Sequence, residues 1–468
     1  MKWRRASAGQ NPPDHEVAQS AADHLAQAIR VATVTPPAGP LSEADQATFD
    51  ALRAMLEAAY SQVFDVATVE TVGRAGLLMR IPGAVAERPV VLMAHQDVVP
   101  VPADWRAEGW EHAPFDGVIA DGWVHGRGAL DDKGALVVLL EALDALLAEG
   151  WRPARDLYVL LGADEEQHGA SAVAAVDLLE SRGVEPWLVL DEGGAVAVDA
   201  FPGLKAPMAV IGASEKGIAT IELSVTADGG HASTPPRQSA PGILAAALVA
   251  VESHPFPGAL HPLSIEMFET VAPHLRGPMR LALSRARSLS GVLVRLLPRL
   301  GPELAAMVRT TAAITMLEGS PAQNVLATRA VATVNCRIAV GSSVAKAVDH
   351  LTRVIADPRV AVSVVESSEP SPVSPTGEDE RWQALVAAVG ESYPDAVAVP
   401  YVMLAASDAR HVARIAPAVY RFAPLRMDRA QRAAIHGPNE RVAIESLGRG
   451  VAFYRALLTG DALGPPSR

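Results

Sequence analysis

Apolar and polar positions along the first 210 residues switch repeatedly between two rhythms. In Glu16 to Ala32 and Glu43 to Tyr60, apolar residues recur every three to four positions, which predicts amphipathic helices. Pro89 to Ala94 (PVVLMA), Asp156 to Gly162 (DLYVLLG) and Trp187 to Leu190 (WLVL) are short unbroken apolar runs, the pattern of strands buried on both faces. Lys133 to Glu149 and Ala170 to Ser181 return to helical spacing. Strands alternating with helices predict an α/β domain with a largely parallel central sheet. Sites in such sheets gather at the carboxyl ends of the strands.

Near Ile211 the rhythm changes. Ala219 to Thr226 (ATIELSVT) alternates like a half-exposed strand, and Ala240 to Glu252 follows as a helix. Ala330 to Val340 is a second strand, Ser343 to Ile355 a second helix, and Ala361 to Val365 a last strand. This order predicts a small α+β domain, residues 211–366, inserted into a first domain made of residues 1–210 and 367–468. The Pro/Ser-rich stretch Glu369 to Thr376 reads as the linker back, and Glu380 to Ser392 as a helix after it. No repeat of 20–50 residues is visible.

Composition narrows the function classes. The 468-residue chain carries a net charge of −13, which argues against a nucleic-acid binder that must displace counterions with a basic face. Its single cysteine, Cys336, excludes an internal disulfide and a cysteine-based zinc ribbon. The start, MKWRRASAGQNPPDHEVAQ, has basic residues but no apolar run after them, so no secretory leader is read there. The most apolar helix, Ala135 to Ala148, is interrupted by Glu141 and Asp144 and is too short to span a bilayer. A cytoplasmic location is expected, although an exported chain without its leader would look the same.

Four clusters carry candidate chemistry, three of them directly after predicted strands. They are His95-Gln96-Asp97, then Gly126 to Gly134 (GRGALDDKG) before a helix, Asp164-Glu165-Glu166, and Asp191-Glu192-Gly193-Gly194. Taken singly, each has a plainer explanation: a surface pair, a helix cap, a solvated acidic loop or a turn. Together, an imidazole and several carboxylates on one rim suit a metal such as zinc, and a carboxylate between two cations can bridge them.

The order of VLMAHQDVVPV, GRGALDDKG, GADEEQHGA and LDEGG resembles the di-zinc amidohydrolases and exopeptidases that include aminoacylase, carboxypeptidase S and the desuccinylases. The likeness continues through GASEKG, DGGHASTPP, the stretch Arg309 to Ile338, SDARH and AIHGPNE, covering roughly residues 20 to 460. The later segments are most similar to the carboxypeptidase S branch, which includes a fatty-acyl amino acid hydrolase/synthase. The resemblance implies a zinc exopeptidase-like catalytic domain with an inserted lid and dimerisation domain.

Carried over by residue, the resemblance implies that His95 and Asp191 hold one zinc, that Glu166 and His436 hold the other, and that Asp131 bridges them. Cobalt or manganese would be accepted by the same donors. Asp97 would take the second imidazole N–H of His95, Glu165 would act as general base, and Asp131–Asp132 would be a non-proline cis peptide. His231 would stabilise the oxyanion, often in the partner subunit's site, and Asn324 would contact substrate or oxyanion. Arg410 would receive a free substrate carboxylate. Two departures from the pattern are Ala405-Ala406, where relatives carry Gly-Gly, and Ala232, where many carry serine.

The implied activity is hydrolysis of N-acyl amino acids or short peptides with a free carboxyl end, by a homodimer with no nucleic-acid partner and no membrane span. Rival specificities are an aminoacylase or a fatty-acyl amino acid hydrolase/synthase; a different class is a non-catalytic or membrane-associated binding protein. Val271 to Pro302 holds six arginines among leucines and valines and no acid. It reads as helices packed on the inserted domain with arginines in water, or as a surface for an acyl chain, a partner or an anionic membrane.

Overall fold

The computed structural model describes residues 14–37 and 39–463; the basic start of the chain lies outside them. The predicted buried runs form the middle of a ten-stranded sheet. Val85–His95 lies between Arg155–Gly162 and Leu188–Asp191, parallel to both, and Leu188–Asp191 pairs in parallel with Val419–Arg421. Val397–Met403 and Met208–Glu215 add another parallel pair. Thr68–Val72 and Gly76–Ile81 complete one edge in antiparallel fashion. Helix Lys133–Ala148 crosses the sheet between Val85–His95 and Arg155–Gly162 and buries nearly every side chain except those of Glu141, Asp144, Ala145 and Ala148. Its apolar periodicity is therefore broad rather than a single stripe.

A second, four-stranded sheet is wholly antiparallel: Thr311–Glu318, Arg329–Ile338, Gly217–Thr226 and Val360–Ser368 in that spatial order. Gly217–Thr226 and Arg329–Ile338 alternate buried and half-buried residues, as a sheet covered on one face must. The cover is helices Ala240–Ser253 and Val344–Ile355. The second helix buries Val344, Ala347, Leu351 and Ile355 along one stripe, and Ser343 caps it by accepting from the N–H of Lys346.

Three sequence expectations change. Ile211 belongs to the large sheet within Met208–Glu215, so the change of sheet comes at Lys216 rather than near Ile211. The stretch Val271 to Pro302 does not pack on the small domain. Leu275, Leu283, Leu293 and Leu297 join Phe201, Met208 and Val399 in one core cluster on the flank of the large sheet. The presumed linker is also knitted in: Ser371 Oγ accepts from the N–H of Glu215, and the N–H of Ser374 donates to the carbonyl of Ala213. The chain passes between the two sheets at Lys216 and Glu369, side by side.

Candidate metal centre

Parallel neighbours end on the same rim, so the carboxyl ends of Val85–His95, Arg155–Gly162 and Leu188–Asp191 bring His95, Glu165-Glu166 and Asp191 together. Asp131 arrives from the loop before helix Lys133–Ala148, and its peptide bond to Asp132 is cis. His436 follows helix Arg429–Ala434 at a positive φ of 60°.

The two oxygens of Asp131 face different imidazoles. Oδ1 lies 2.9 Å from His95 Nε2, and Oδ2 lies 3.1 Å from His436 Nε2. His436 Nε2 is also 3.0 Å from Glu166 Oε1. One donor atom each from His95, Asp131 and Glu166 falls within 4.8 Å of the others, a group able to hold a metal ion. Asp191 stands on the same rim but outside that group, its Oδ2 accepting from the N–H of Ala409 at 2.7 Å.

Asp97 behaves differently from expectation. The Nδ1 of His95 sits 3.0 Å from the carbonyl oxygen of Asp97 and 3.4 Å from its carboxylate. The backbone carbonyl is the nearer acceptor. The carboxylate instead accepts from the N–H groups of Glu165 and Glu166 at 3.2 and 3.1 Å. Asp97 therefore fixes the imidazole and both glutamates at once. Asp132 does not cap its helix; its Oδ2 accepts from the N–H of His95.

Electrostatics among these side chains points to a cation. Burial, followed by neighbouring carboxylates, drives the Asp132, Glu165 and Glu192 carboxyls well above their ordinary values, although His95 opposes it at Asp132 and Glu165. Burial opposes the charged form of Asp131, but hydrogen bonds from His436 and His95 outweigh it and hold its carboxyl low. The same contacts with Asp131 and Glu166 push His436 up to about 10. Buried Asp132 Oδ1 and Asp408 Oδ1 have no hydrogen-bond partner. Acidic groups this crowded, with imidazoles presenting ring nitrogens between them, fit a divalent metal bound through nitrogen and oxygen.

Residues 91–460 match the sequence profile of Peptidase family M20/M25/M40. The chain belongs to that family. It is 34% identical to the N-fatty-acyl-amino acid synthase/hydrolase PM20D1 of Xenopus tropicalis over 99% of this chain and 91% of that one. It is 35% identical to the probable carboxypeptidase S-like 2 of Dictyostelium discoideum, covering 79% and 71%. Among solved structures, the M20 family metallo-carboxypeptidase Sso-CP2 of Sulfolobus solfataricus superposes with a TM-score of 0.68 at 17% identity, covering 94% of this chain and 98% of that one. Human carnosine dipeptidase 1 superposes at 0.64 and 18%, covering 96% and 100%. The fold and the enzyme class follow: this family member is a metal-dependent hydrolase.

Other predicted residues lie further out. His231 and Asn324 share a short ribbon of the small domain, where Gly230–His231 pairs with Val325–Leu326 and the N–H of Ala232 donates to the Asn324 carbonyl. Both are exposed, and His231 Nδ1 accepts from Ser233 Oγ at 2.8 Å. Among the described residues, no hydrogen bond joins either to the cluster at Asp131. Arg410 lies in the one-turn helix Ala409–Val412, half-buried, with its Nε donating to His411 Nε2.

Sequence reasoning missed several groups. Glu440, fully buried, accepts from the N–H of Gly128, Leu130 and Asp131 at 3.0, 2.7 and 3.2 Å and from Arg127 Nη1 at 2.6 Å. It clamps the loop that carries Asp131. Asp408 lies tight against Gly162 and Gly169, and a side chain at either glycine would run into its carboxylate. Arg421, wholly buried, pairs with Glu215 at 2.9 Å. AIHGPNE, SDARH and GASEKG contain Glu440, Asp408 and Glu215 but named a neighbourhood rather than a contact, and no motif contained Arg421.

Proposed function

We propose that the protein hydrolyses the amide bond of N-acyl amino acids, with fatty-acyl amides first among them and short peptides second, at a two-zinc centre. The observation that carries this reading is the presentation of the two Asp131 oxygens to two different imidazoles, as a bridging carboxylate requires. In this reading His95 and Asp191 hold one zinc, and Glu166 and His436 the other. When bound, such a pair supplies an acidified water and polarises the scissile carbonyl.

The chain's own groups do the rest. Glu165 is not needed as a ligand, and burial raises its carboxyl, so it can take a proton from the attacking water and return it to the leaving nitrogen. Asp97 keeps Glu165 in place through its backbone N–H. Arg410 receives the substrate carboxylate; Arg337, on the small sheet and within electrostatic reach of Arg410, supports it. His231 and Asn324 act on the oxyanion after residues 217–368 close as a lid, or from a partner subunit. Exposed Met316 and Leu317 on one edge strand of the small sheet, and Val365 on the other, support a homodimer formed through that domain.

The fatty-acyl preference rests on the relatives named N-fatty-acyl-amino acid synthase/hydrolase PM20D1. A cytoplasmic location is part of the proposal, supported by a lone, buried Cys336. No helix among the described residues is long and apolar enough to cross a membrane. The test is release of free amino acid from long-chain N-acyl amino acids, short-chain N-acyl amino acids and dipeptides by zinc-loaded protein. Two zinc ions per chain with no release from any of the three would overturn the activity. Release from dipeptides alone would overturn the acyl preference.

A further inference from the structure

The segment between Val271 and Pro302 folds as short helices Gly277–Leu283 and Ser290–Leu296 with a 3-10 turn after the second. Its inward side chains, among them Leu275, Leu283, Leu293 and Leu297, all enter one cluster with Phe201 and Val399. The remaining side chains of the segment are half-buried or exposed. Leu281 and Val292 are each 58% exposed and Leu300 is 53% exposed, with Met279 and Leu296 also open to solvent. Val292 and Leu296 lie one turn apart on the second helix, and Leu300, just past the 3-10 turn that follows it, is the next exposed apolar side chain.

Arg276, Arg280, Arg285, Arg287, Arg295 and Arg299 alternate with these apolar residues along the segment, and all six are exposed. Among the described residues none of them is in an ion pair. Arg295 and Arg299 bond only to helix carbonyls one turn back. No acidic residue interrupts the segment, in a chain whose net charge is −13. Exposed apolar side chains alone would suit many partners, and a basic patch alone would suit any polyanion. Their interleaving along one segment suits a surface that is anionic and also has an apolar interior within side-chain reach.

We propose that this face docks the protein on anionic lipid bilayers, with the arginines at the headgroups and Leu281, Val292, Leu296 and Leu300 in the acyl boundary. The buried side of the layer packs on Val397–Met403, the strand that runs on to Asp408 and Arg410. Docking would thus place the flank beside the candidate site against the phase in which fatty-acyl amides dissolve. That advantage rests on the acyl-amide reading; the docking itself does not.

Flotation of the full chain with vesicles tests it without any assay of activity. Binding to phosphatidylglycerol-rich vesicles should exceed binding to pure phosphatidylcholine by at least about tenfold and weaken with added salt. The triple variant R285E/R295E/R299E should lose the anionic preference. The variant L281S/L296S should lose binding while keeping its arginines. Both should retain the parent's melting profile and its turnover of a short-chain soluble substrate. Equal binding to the two vesicle types overturns the proposal. So does capture by a polyglutamate column without vesicle binding, which would mark the patch as a site for acidic protein. Binding that survives both variants also overturns it, since the lipid contact would then lie elsewhere.

Discussion

Asp131 can face two imidazoles only if its backbone is held still, and Glu440 holds it. That carboxylate, fully buried, gathers the N–H groups of Gly128, Leu130 and Asp131 and the Arg127 guanidinium. Glu440→Gln keeps the size but turns one acceptor into a donor that faces other donors. Metal affinity, read by competition with a chelator, should fall about 10–100-fold, with Glu165 untouched. Unchanged affinity would reduce Glu440 to an ordinary core residue. Glu165→Gln should do the opposite: full metal content by elemental analysis, with kcat lowered at least about 10²-fold. Near-normal turnover at full metal loading would remove Glu165 as the base. His95, Asp131 and Glu166 stood out as clusters in the sequence, whereas His436 was reached only through the family resemblance; the structure brings the four side chains together. The clamp was not legible, because Glu440 meets Leu130 across 310 residues of chain, and no local pattern records that meeting.

Elements with enough residues to show a period were read closely. Ala170–Ser181 and Glu380–Ser392 match their sequence spans, since a buried stripe recurs through three turns. Thr68–Val72 and Gly76–Ile81 went unread because one is only partly buried, with no clean alternation, and the other mixes Arg80 into a buried run. Thr311–Glu318 lies exposed at the sheet edge, so burial imposes no alternation on it. Val419–Arg421 is only three residues long, yet it places Arg421 against Glu215, whose Oε2 also accepts from the N–H of Ser407. Replacing Arg421 with Met leaves Glu215 as an unpaired buried charge. Chemical denaturation should show a loss of about 3–5 kcal/mol. A loss below about 1 kcal/mol would mean that Glu215 is satisfied without its partner.

At the scale of the molecule, two sheets meet through adjacent crossings at Lys216 and Glu369, and His231 stands on the small unit while the proposed metal ligands stand on the large one. His231→Ala should lower kcat about 10²–10³-fold if it is an oxyanion donor. Mixing that variant with Glu165→Gln protein under subunit exchange tells where it acts. Recovered turnover means a partner's histidine completes the site, and no recovery means closure within one chain. Full activity of His231→Ala alone would make it a turn residue. The amino-acid sequence by itself determined the α/β alternation, the strand-end motifs and the family, because buried runs and metal-ligand motifs are local patterns. Tertiary structure alone decided that the arginine-rich segment packs on the large sheet, that Asp97 grips both glutamates, and that Glu440 anchors Asp131. Each of those depends on which distant surfaces and backbone groups are brought within bonding distance, and that is settled only when the chain closes on itself.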